Sequence, residues 1–391
     1  GEILQIMSRE TTYLDHAATT PLLPEVLDAM LPFLTDSFGN PSSVYGPGRQ
    51  ARHVVEKCRM RVADVLGVGS AEIVFTSGGS ESNNTVLQLD LDFIVSSQTE
   101  HEAIREPLLQ RENVVLLEPD VYGCIEPEAL ESVLAGREFI PQRCLGSFMA
   151  VNNELGSINP IAALSISLRD RGILFHTDAV QAAGMLDLAK LASDVDYLTL
   201  SGHKMGGPKG IGALFVRAGA PLTPLISGGG QEQDRRAGTE NVPGIVGFTL
   251  ALELAERRRL NTCEHLSALR IQLVEELKTH FGERVFINTA LEPGMSSPHV
   301  LNVLFLDERG QGLDGEMLIL GLDVEGVFVS AGSACSSGTI GTSHVLSAVG
   351  IAPDQSKGAL RISFAAASSQ ADVDRLVAAL KDVVSRMTPS S

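Results

Sequence analysis

Short apolar runs alternate with amphipathic segments along the first half of the chain. The amphipathic segments have apolar residues at helical spacing, which predicts helices at Arg49–Leu66, Ile161–Arg171 and Val180–Leu188. Because strands that alternate with helices build parallel sheets, we expect a doubly wound α/β domain here. The predicted strands are Glu72–Thr76, Phe93–Ser97, Val114–Leu117, Gly146–Val151, Gly172–His176, Tyr197–Ser201 and Ile211–Val216.

The pattern changes after the turn-rich stretch Ser227–Pro243. A long amphipathic run then predicts a helix over Gly247–His280. We therefore expect a large α/β domain over residues 16–255 and a small α+β domain made of residues 1–15 and 256–391. The further predicted elements of the second half are strands at His299–Phe305, Val327–Ser330 and Ala359–Phe364 and a helix at Ala371–Met387.

The composition is that of a globular protein with a large core. The chain has 391 residues, of which 44% are hydrophobic and 20% charged, and this mix excludes collagen, coiled coils and long disorder. No apolar run approaches the ~20 residues of a membrane-spanning helix. With 30 Lys and Arg against 48 Asp and Glu, the net charge is −18, so we expect no direct binding to a nucleic acid.

The cysteine pattern and the N-terminal sequence bear on the cellular compartment of the protein. The five cysteines are scattered and form no CxxC pair, which argues against a disulfide framework and favours a reducing cytoplasm. No basic-then-apolar signal peptide opens the chain. We expect Met7 to be the natural start, with the residues before it an addition.

Polar clusters follow several predicted strands, at the sheet edge where open α/β folds bind their ligands. In the first cluster, Gly78 and Gly79 allow a tight turn before Ser80 and Glu81 open a helix. Free backbone N–H groups at a helix start bind anions such as phosphate, although an ordinary serine-capped helix fits the same stretch. The other clusters are Thr99–His101, Asn152–Glu154, His176–Gln181 and Ser201–Pro208.

Pyridoxal phosphate is the cofactor whose needs these clusters match. Its phosphate needs an anion site, its pyridine nitrogen needs a carboxylate such as Asp178, and its aldehyde needs a lysine amine. Lys204 is suited to the last role, because it stands between His203 and the small residues Gly206 and Gly207, which leave room for a ring.

Two alternatives for the same clusters have weaker support. A nucleotide site would need a glycine-rich P-loop, and the chain has none. A metal site would need ligands at helical HxxxH spacing or a carboxylate bridge. Neither pattern links the candidate ligands His101, His176, Asp178 and His203, and we expect no metal.

The segment Ser330–Gly338 carries a separate signal. Cys335 stands there among small residues only, and Gly332 and Gly338 give the backbone freedom. A cysteine on a mobile, exposed loop of about residues 327–345 is a candidate nucleophile. The alternative is a small buried residue in a tight turn, and Cys58 and Cys263, which lie in helical patterns, fit that alternative better.

Motif-like stretches recur along nearly the whole chain, at Tyr13–Pro21, Gly39–Ser43, Thr76–Asn83, Asn152–Gly156, His176–Asp178, Ser201–Lys204, Arg236–Asn241, Ser330–Gly338 and Leu360–Ser363. In this order they resemble the signatures of the cysteine desulfurases, which are pyridoxal-phosphate enzymes of the class V aminotransferase group. The Cys335 loop is similar to that of the NifS/IscS type. The resemblance implies the fold type I transferase architecture of aspartate aminotransferase, with a mostly parallel doubly wound sheet and a smaller α+β domain.

The resemblance also implies how the cofactor would be held. Lys204 would form the Schiff base, Asp178 would pair with the pyridine nitrogen, and His101 would stack on the ring. The remaining cofactor contacts would be Gln181 to the ring hydroxyl and Gly79, Ser80, Ser201 and His203 to the phosphate, with Thr239 reaching the phosphate from the second subunit of a homodimer. His16, Tyr45 and Ser80 depart from the residues common in the family, although Ser80 keeps a hydroxyl.

The implied reaction removes sulfur from L-cysteine and leaves L-alanine. Asn153 and Arg361 would bind the substrate carboxylate, the Lys204 amine would take the Cα proton, and His101 would move protons near the thiol. Cys335 would receive the sulfur as a persulfide for a sulfur-acceptor protein, for example in iron–sulfur cluster assembly. A selenocysteine lyase, a sulfinate-processing relative and a non-catalytic scaffold with the same fold are the alternatives.

Overall fold

The computed structural model describes residues 11–331 and 343–387 of the chain. Within these ranges a seven-stranded sheet and a three-stranded sheet each lie against their own hydrophobic core. The strands are β1 (Thr12–Tyr13), β2 (Ile73–Thr76), β3 (Phe93–Ser97), β4 (Val114–Leu117), β5 (Cys144–Ser147), β6 (Leu174–Asp178), β7 (Tyr197–Ser201), β8 (Gly212–Val216), β9 (Val285–Ile287), β10 (Val300–Phe305), β11 (Val327–Phe328) and β12 (Ala359–Ser363).

Helices pack on both faces of the larger sheet. The helices that precede β8 in the chain are α1 (Pro24–Leu34), α2 (Gly46–Leu66), α3 (Gly79–Leu87), α4 (Glu102–Leu109), α5 (Pro127–Leu134), α6 (Ile161–Arg169) and α7 (Leu188–Asp194). Those that follow are α8 (Val242–Phe281), α9 (Gly315–Val324), α10 (His344–Ala348), α11 (Pro353–Ser356) and α12 (Gln370–Met387).

The larger sheet is mostly parallel, as predicted. Its strand order is β2-β8-β7-β6-β5-β3-β4, and only β8 runs antiparallel to its two neighbours. One face packs against residues of α2, α5, α6, α7 and α8, and the other face packs against residues of α3 and α4 such as Val86 and Ile104. The doubly wound α/β expectation is confirmed, and it places the carboxyl ends of β2, β3, β5, β6 and β7 along one edge.

The second core combines the start and the end of the chain. Leu14 packs there with residues of β10, β12, α9 and α12, and β1 pairs in parallel with β11 through Thr12 and Val327. Helix α8 is 40 residues long and supplies Phe248 to the first core and Leu273 to the second. The predicted domain division at residue 255 falls inside this helix and stays a prediction.

Several predicted elements lie at the predicted residues, and one is wrong. Strands β3, β4 and β7 have the predicted bounds, whereas β5 begins earlier and ends at Ser147. The predicted helix Val180–Leu188 is a series of turns. Gly184 has φ +75° there, which is incompatible with a right-handed helix. The backbone also lies close to α8 at this point, since a β-carbon on Gly184 would lie 3.2 Å from that of Ala255.

The structure also bears on the membrane question. Among residues 11–331 and 343–387, every helix falls short of the length or apolar content that a bilayer-spanning segment needs.

Candidate active site

A cavity of about 300 Å³ opens at the carboxyl edge of the larger sheet. Cys335 lies outside the described residues, and Thr239 does not line the cavity. The other predicted site residues line it: Gly79, Ser80, His101, Asn153, Asp178, Gln181, Ser201, His203, Lys204 and Arg361.

The first turn of α3 forms one side of the cavity. Gly78 precedes it with φ +155°, a backbone conformation that disfavours a side chain, and a β-carbon on Gly79 would lie 3.0 Å from Val180. The chain therefore needs both glycines to bring this turn against the cavity. Backbone N–H groups in a first helical turn have no intrahelical acceptor, and together with the Ser80 side chain they suit a phosphate group.

Asp178 is the carboxylate of the cavity, at the end of β6. It is 5% exposed, and its two oxygens are held from both sides. Asn83 Nδ2 donates to Oδ2 at 2.8 Å, and the backbone N–H of Val180 donates to Oδ1 at 2.9 Å. These two donors fix the carboxylate in one orientation, as a partner for a positively charged or N–H group in the cavity.

Lys204 lies at the end of β7, in a short 3₁₀ turn over Gly202–Lys204. Its Nζ donates to the carbonyl oxygens of Ala17 at 2.5 Å and Ala18 at 2.7 Å. Burial, and next the charge of Arg361, lower the pKa of Lys204 to about 8. With this pKa, roughly a tenth of the amine is unprotonated at pH 7, and the fraction rises as the pH approaches 8. An unprotonated amine is what a nucleophile or a base requires.

His203 and Gln181 hold the segment that faces Lys204. His203 Nδ1 shares a hydrogen bond of 3.0 Å with Thr19 Oγ1, and Gln181 Nε2 donates to Ala17 O at 2.9 Å. Burial first, and then the charges of Lys204 and Lys209, lower the pKa of His203 to about 4. His203 is thus a neutral hydrogen-bonding group.

Arg361, on β12, brings a cation from the second core into the cavity. Its Nη2 pairs with Asp15 Oδ1 at 2.8 Å, and its Nη1 donates to the backbone oxygen of Asn153 at 3.0 Å. The Asn153 side-chain oxygen is buried and has no hydrogen-bond partner among the described residues. The Arg361 guanidinium and the side-chain NH₂ group of Asn153 are donors, and both suit a substrate carboxylate, which only accepts hydrogen bonds.

His101 stands at the cavity wall as the N-cap of α4. Its Nδ1 accepts a hydrogen bond from the backbone N–H of Ala103 at 3.0 Å. Its ring is exposed, so it is free to contact a ligand or exchange a proton. Stacking on a cofactor ring stays a prediction.

Two buried glutamates support the wall beside His101. Glu100 is fully buried and accepts from the backbone N–H of Met149 at 2.9 Å, and burial raises its pKa well above the usual range. Glu154 lines the cavity, and Ser343 Oγ donates to its Oε2 at 2.6 Å. Burial raises the pKa of Glu154 more than the Ser343 hydrogen bond and the charges of His344 and Arg361 lower it.

Sequence reasoning missed several side chains that shape the site. Asn83 stands in the motif-like stretch Thr76–Asn83, and its place four residues into the helix after the glycine turn is a usable signal. Glu154 directly follows Asn153 in the stretch Asn152–Gly156, and the resemblance implies no role for it. His299 had no signal, because its partner Gln181 is 118 positions away in the sequence.

Thr239 lies apart from the cavity of its own chain. It is exposed, and its neighbours Gly238 and Glu240 line a separate small cavity beside Thr76 and Ser77 at the end of β2. Arg236, in the same segment, pairs with Glu81 of α3 at 2.8 Å. The segment is therefore anchored next to the first turn of α3, with the Thr239 side chain facing outward.

The metal alternative finds no support where the chain is described. No group of three or more His, Cys, Asp and Glu residues within residues 11–331 and 343–387 is arranged to hold a metal ion. His176 lies inside the sheet, where its two ring nitrogens share hydrogen bonds with Ser147 Oγ at 2.9 Å and Thr199 Oγ1 at 3.0 Å.

The donors and acceptors of the cavity fit pyridoxal phosphate. The first turn of α3 suits its phosphate, Asp178 suits its protonated pyridine nitrogen, and the amine of Lys204 suits its aldehyde. The buried side-chain oxygens of Asn83 and Asn153, which lack partners among the described residues, leave hydrogen-bonding capacity that a bound ligand or water can use. We therefore regard the residues as compatible with this cofactor.

The fold and the cavity are those of a fold type I pyridoxal-phosphate enzyme. The class-V aminotransferase family matches residues 12–376, and the chain belongs to this family.

Similar proteins define the branch of the family. A cysteine desulfurase IscS from Methanosarcina thermophila is 38% identical over 97% of this chain and 93% of its own length. A solved NifS-like protein superposes with a TM-score of 0.86 at 34% identity, covering 96% of this chain and all of that one. A structure of SspA in complex with cysteine reaches a TM-score of 0.75 at 31% identity over 90% and 99% of the two chains. Within the class-V family, the protein is thus one of the cysteine desulfurases of the IscS and NifS type.

Proposed function

We propose that the protein takes sulfur from L-cysteine, releases L-alanine and holds the sulfur as a persulfide on Cys335. The observation that carries this proposal is the convergence of Lys204, Asp178 and the first turn of α3 on one cavity. L-cysteine as substrate has further support from the related SspA structure, which holds cysteine.

Pyridoxal phosphate, when bound, supplies an aldehyde for amines and a protonated ring that withdraws electrons from the substrate carbon. Asp178, fixed by Asn83 and Val180, would hold the proton on the ring nitrogen. The Lys204 amine would anchor the cofactor and would then take the substrate Cα proton at Nζ, and its lowered pKa of about 8 suits it to that exchange.

Substrate orientation comes from groups on both cores. The Arg361 guanidinium and the Asn153 amide bind the carboxylate of L-cysteine. This directs the Cα–H bond toward Lys204 and the thiol toward the His101 side of the cavity. His101 takes the thiol proton or returns it at the ring nitrogen that Ala103 does not occupy.

Sulfur transfer is a substitution at the substrate sulfur. The Cys335 thiolate attacks that sulfur, so a new S–S bond forms while the Cβ–S bond breaks. The electron pair of the broken bond stays with Cβ, which takes up one proton and becomes the methyl group of L-alanine. The products are one alanine and one cysteine persulfide on the enzyme.

The test is stoichiometry in a single turnover. Protein loaded with pyridoxal phosphate is mixed with one equivalent of L-cysteine without added thiol, and alanine and protein-bound persulfide are measured on the same sample. We expect equal amounts, with the extra sulfur on the peptide that contains Cys335 by mass spectrometry. Alanine with elemental sulfur free in solution and no protein-bound sulfur would instead indicate a lyase.

We further propose a homodimer in which Thr239 completes the phosphate site of the partner subunit. Thr239 faces outward from its own chain, and exposed apolar side chains run along one side of α1 and the loop after it. Because such stretches mark protein interfaces, we assign them to the second copy: Leu27, Leu31, Leu34, Phe38, Val44 and Tyr45.

Mixed dimers test whether Thr239 acts across the interface. A Thr239→Ala subunit and a Lys204→Ala subunit are combined, so that one of the two sites has an intact Lys204 and an intact Thr239 from different chains. We expect the mixture to regain activity that neither variant has alone, up to one working site per mixed dimer. If the mixture is no more active than the two parents, Thr239 does not act across the interface.

The remaining proposals concern organisation and setting. We propose that residues 1–15 and 256–391 form the small domain carrying the Cys335 loop, supported by the packing of Leu14 with Leu376 of α12. A sulfur-acceptor protein is the expected recipient of the persulfide. The free thiols at Cys58, Cys124, Cys144 and Cys263 support a reducing compartment, for which we propose the cytoplasm.

A further inference from the structure

His299 is a buried histidine that lies outside all the motif-like stretches of the sequence. It directly precedes β10 and is 6% exposed. Its Nδ1 shares a hydrogen bond of 2.6 Å with Ser297 Oγ, and its Nε2 shares one of 3.0 Å with Gln181 Oε1. Gln181 in turn lines the cavity that holds Lys204, so His299 contacts the active site through one intermediate side chain.

The proton positions along this chain of contacts follow by elimination. The backbone oxygen of Ala17 can only accept, so the Gln181 amide must turn its nitrogen toward Ala17 and its oxygen toward His299. That oxygen can also only accept, so His299 must carry its proton on Nε2. If the ring is neutral, Nδ1 is then bare and accepts the Ser297 hydroxyl proton.

The surroundings of His299 keep the ring neutral. Burial is the main cause that lowers its pKa, to about 3, and the positive charges of Arg270, Arg361, His16 and Lys204 act in the same direction. A second proton on this ring would place a positive charge in a buried position near other cations. The ring therefore has a single N–H, and that N–H is committed to Gln181.

We infer that His299 is a positioning residue that fixes the orientation of the Gln181 amide at the cofactor site. The inference rests on the proposed use of pyridoxal phosphate. With its oxygen held by His299 and one N–H held by Ala17, Gln181 has one N–H left, and its side chain lines the cavity. A rotated amide would present its oxygen instead and would repel an oxygen acceptor on the ligand.

The same contacts reach Lys204. Ala17 O accepts from Gln181 Nε2 and from Lys204 Nζ, so the two donors share one carbonyl oxygen. Loss of the His299 contact would free the amide to rotate and to leave Ala17. His299 thus acts on both the ligand-facing donor and the amine through a single hydrogen bond.

The first test observes the ring in the unaltered protein. Histidine labelled with ¹⁵N reports the tautomer by NMR, and the His299→Gln variant assigns the signal among the nine histidines. We expect His299 to keep its proton on Nε2 at every pH from roughly 6 to 8. A proton on Nδ1, or a ring that gains a second proton within that range, would overturn the inference.

The second test measures the affinity of cofactor-free protein for pyridoxal phosphate. The His299→Leu change removes the donor and should weaken binding about tenfold or more, as loss of a partner from a buried polar group does. The matched control Ser297→Ala removes only the hydrogen bond on the far side of the ring, and we expect less than about threefold loss.

The His299→Gln variant guards against a general folding defect. Its amide keeps a donor that can reach Gln181, so it should regain most of the affinity lost in His299→Leu. The absorption band of the bound cofactor should also shift in His299→Leu and not in Ser297→Ala.

Two outcomes separate this inference from the proposed function. If the unaltered protein fails to bind pyridoxal phosphate, the proposed function is wrong. If it binds, but His299→Leu and Ser297→Ala bind equally well with unshifted bands, the positioning role is wrong and the proposed function stands.

Discussion

Two cavities of similar size share one wall, and they differ in the side chains that line them. The sheet-edge cavity has a volume of about 300 Å³ and the second one about 340 Å³. Lys204, Gln181 and Val180 line both. The sheet-edge cavity is lined by a carboxylate, an amine, a guanidinium and the start of a helix. The second cavity is lined mainly by apolar side chains such as Leu23 and Leu254.

The contrast shows that convergence of chemical groups, rather than volume, distinguishes the active site. The ends of parallel strands place polar side chains along one edge of the sheet. The strand order therefore determines which chemical groups line the first cavity. The second cavity lies between α1, α8 and the segment after β12, where helix packing brings mainly apolar surfaces together. Variants that act on one cavity and spare the other can test this difference.

The largest effect is expected at the shared wall. Lys204→Ala should lower turnover by more than about 10⁴-fold, because it removes the anchoring amine as well as the proton transfer that alone contributes roughly 10²–10⁴. Borohydride reduction followed by mass spectrometry should find no cofactor attached to the chain. The nearby exposed Lys209→Ala is the control and should retain attachment. Covalent cofactor on the Lys204→Ala protein would disprove the assignment.

Cys335→Ser should separate cofactor binding from sulfur transfer. Serine is nearly the same size and a much weaker nucleophile toward sulfur, so persulfide formation should fall at least about 100-fold. The protein should remain yellow, because Lys204 and Asp178 are unchanged.

Cys263→Ser provides the matched control. The Cys263 thiol donates to the backbone oxygen of Met185 at 3.4 Å, a contact that a serine hydroxyl can keep. Persulfide formation should be close to normal in this variant. Near-normal sulfur transfer by Cys335→Ser would mean that another group carries the sulfur.

The same substitution in each cavity compares them directly. Ala18→Leu adds bulk beside Lys204 and should reduce turnover about 100-fold, because a small displacement of reacting groups has that effect. Ala366→Leu adds equal bulk at an exposed position of the second cavity and should change turnover by less than about twofold. Equal losses in the two variants would show that the second cavity also takes part in the reaction.

The pH dependence of cofactor uptake should show the smallest change. The Lys204 amine must be unprotonated to attack the aldehyde, so uptake by cofactor-free protein should slow as pH falls below about 8 and level off above it. Stopped-flow absorbance measures the rate. Burial and the Arg361 charge both lower this pKa, so Arg361→Gln should move the midpoint to higher pH. A profile that is flat across this range would contradict the lowered pKa.

Much of the site could be predicted because it follows strand ends in sequence. Asp178, Ser201 and Lys204 each come directly after or within a recognisable strand, so local pattern and topology together place them in one cavity. The Asn83 contact with Asp178 joins helix α3 to the end of β6, and the sequence signals the position of Asn83 but not its partner.

What could not be predicted depends on contacts between distant segments. The turn region after Asp178 has apolar residues at helical spacing, yet Gly184 meets Ala255 of α8, and no local pattern carries that information. His299 reaches Gln181 from the other core. The run Gly146–Val151 reads as a strand because it is short and ends in four consecutive apolar residues, but the regular ladder with β6 ends at Ser147.

Helix α8 has a consequence for how the protein can be divided. Phe248 and Leu273 lie on the same uninterrupted helix but in different cores. Unfolding of either core would therefore leave half of α8 without packing partners while the other half stays packed. Heat or denaturant should therefore dissolve both cores in one cooperative step. A cut at residue 255 would leave one fragment that ends in half of α8 and one that begins with the other half, so neither fragment should fold alone.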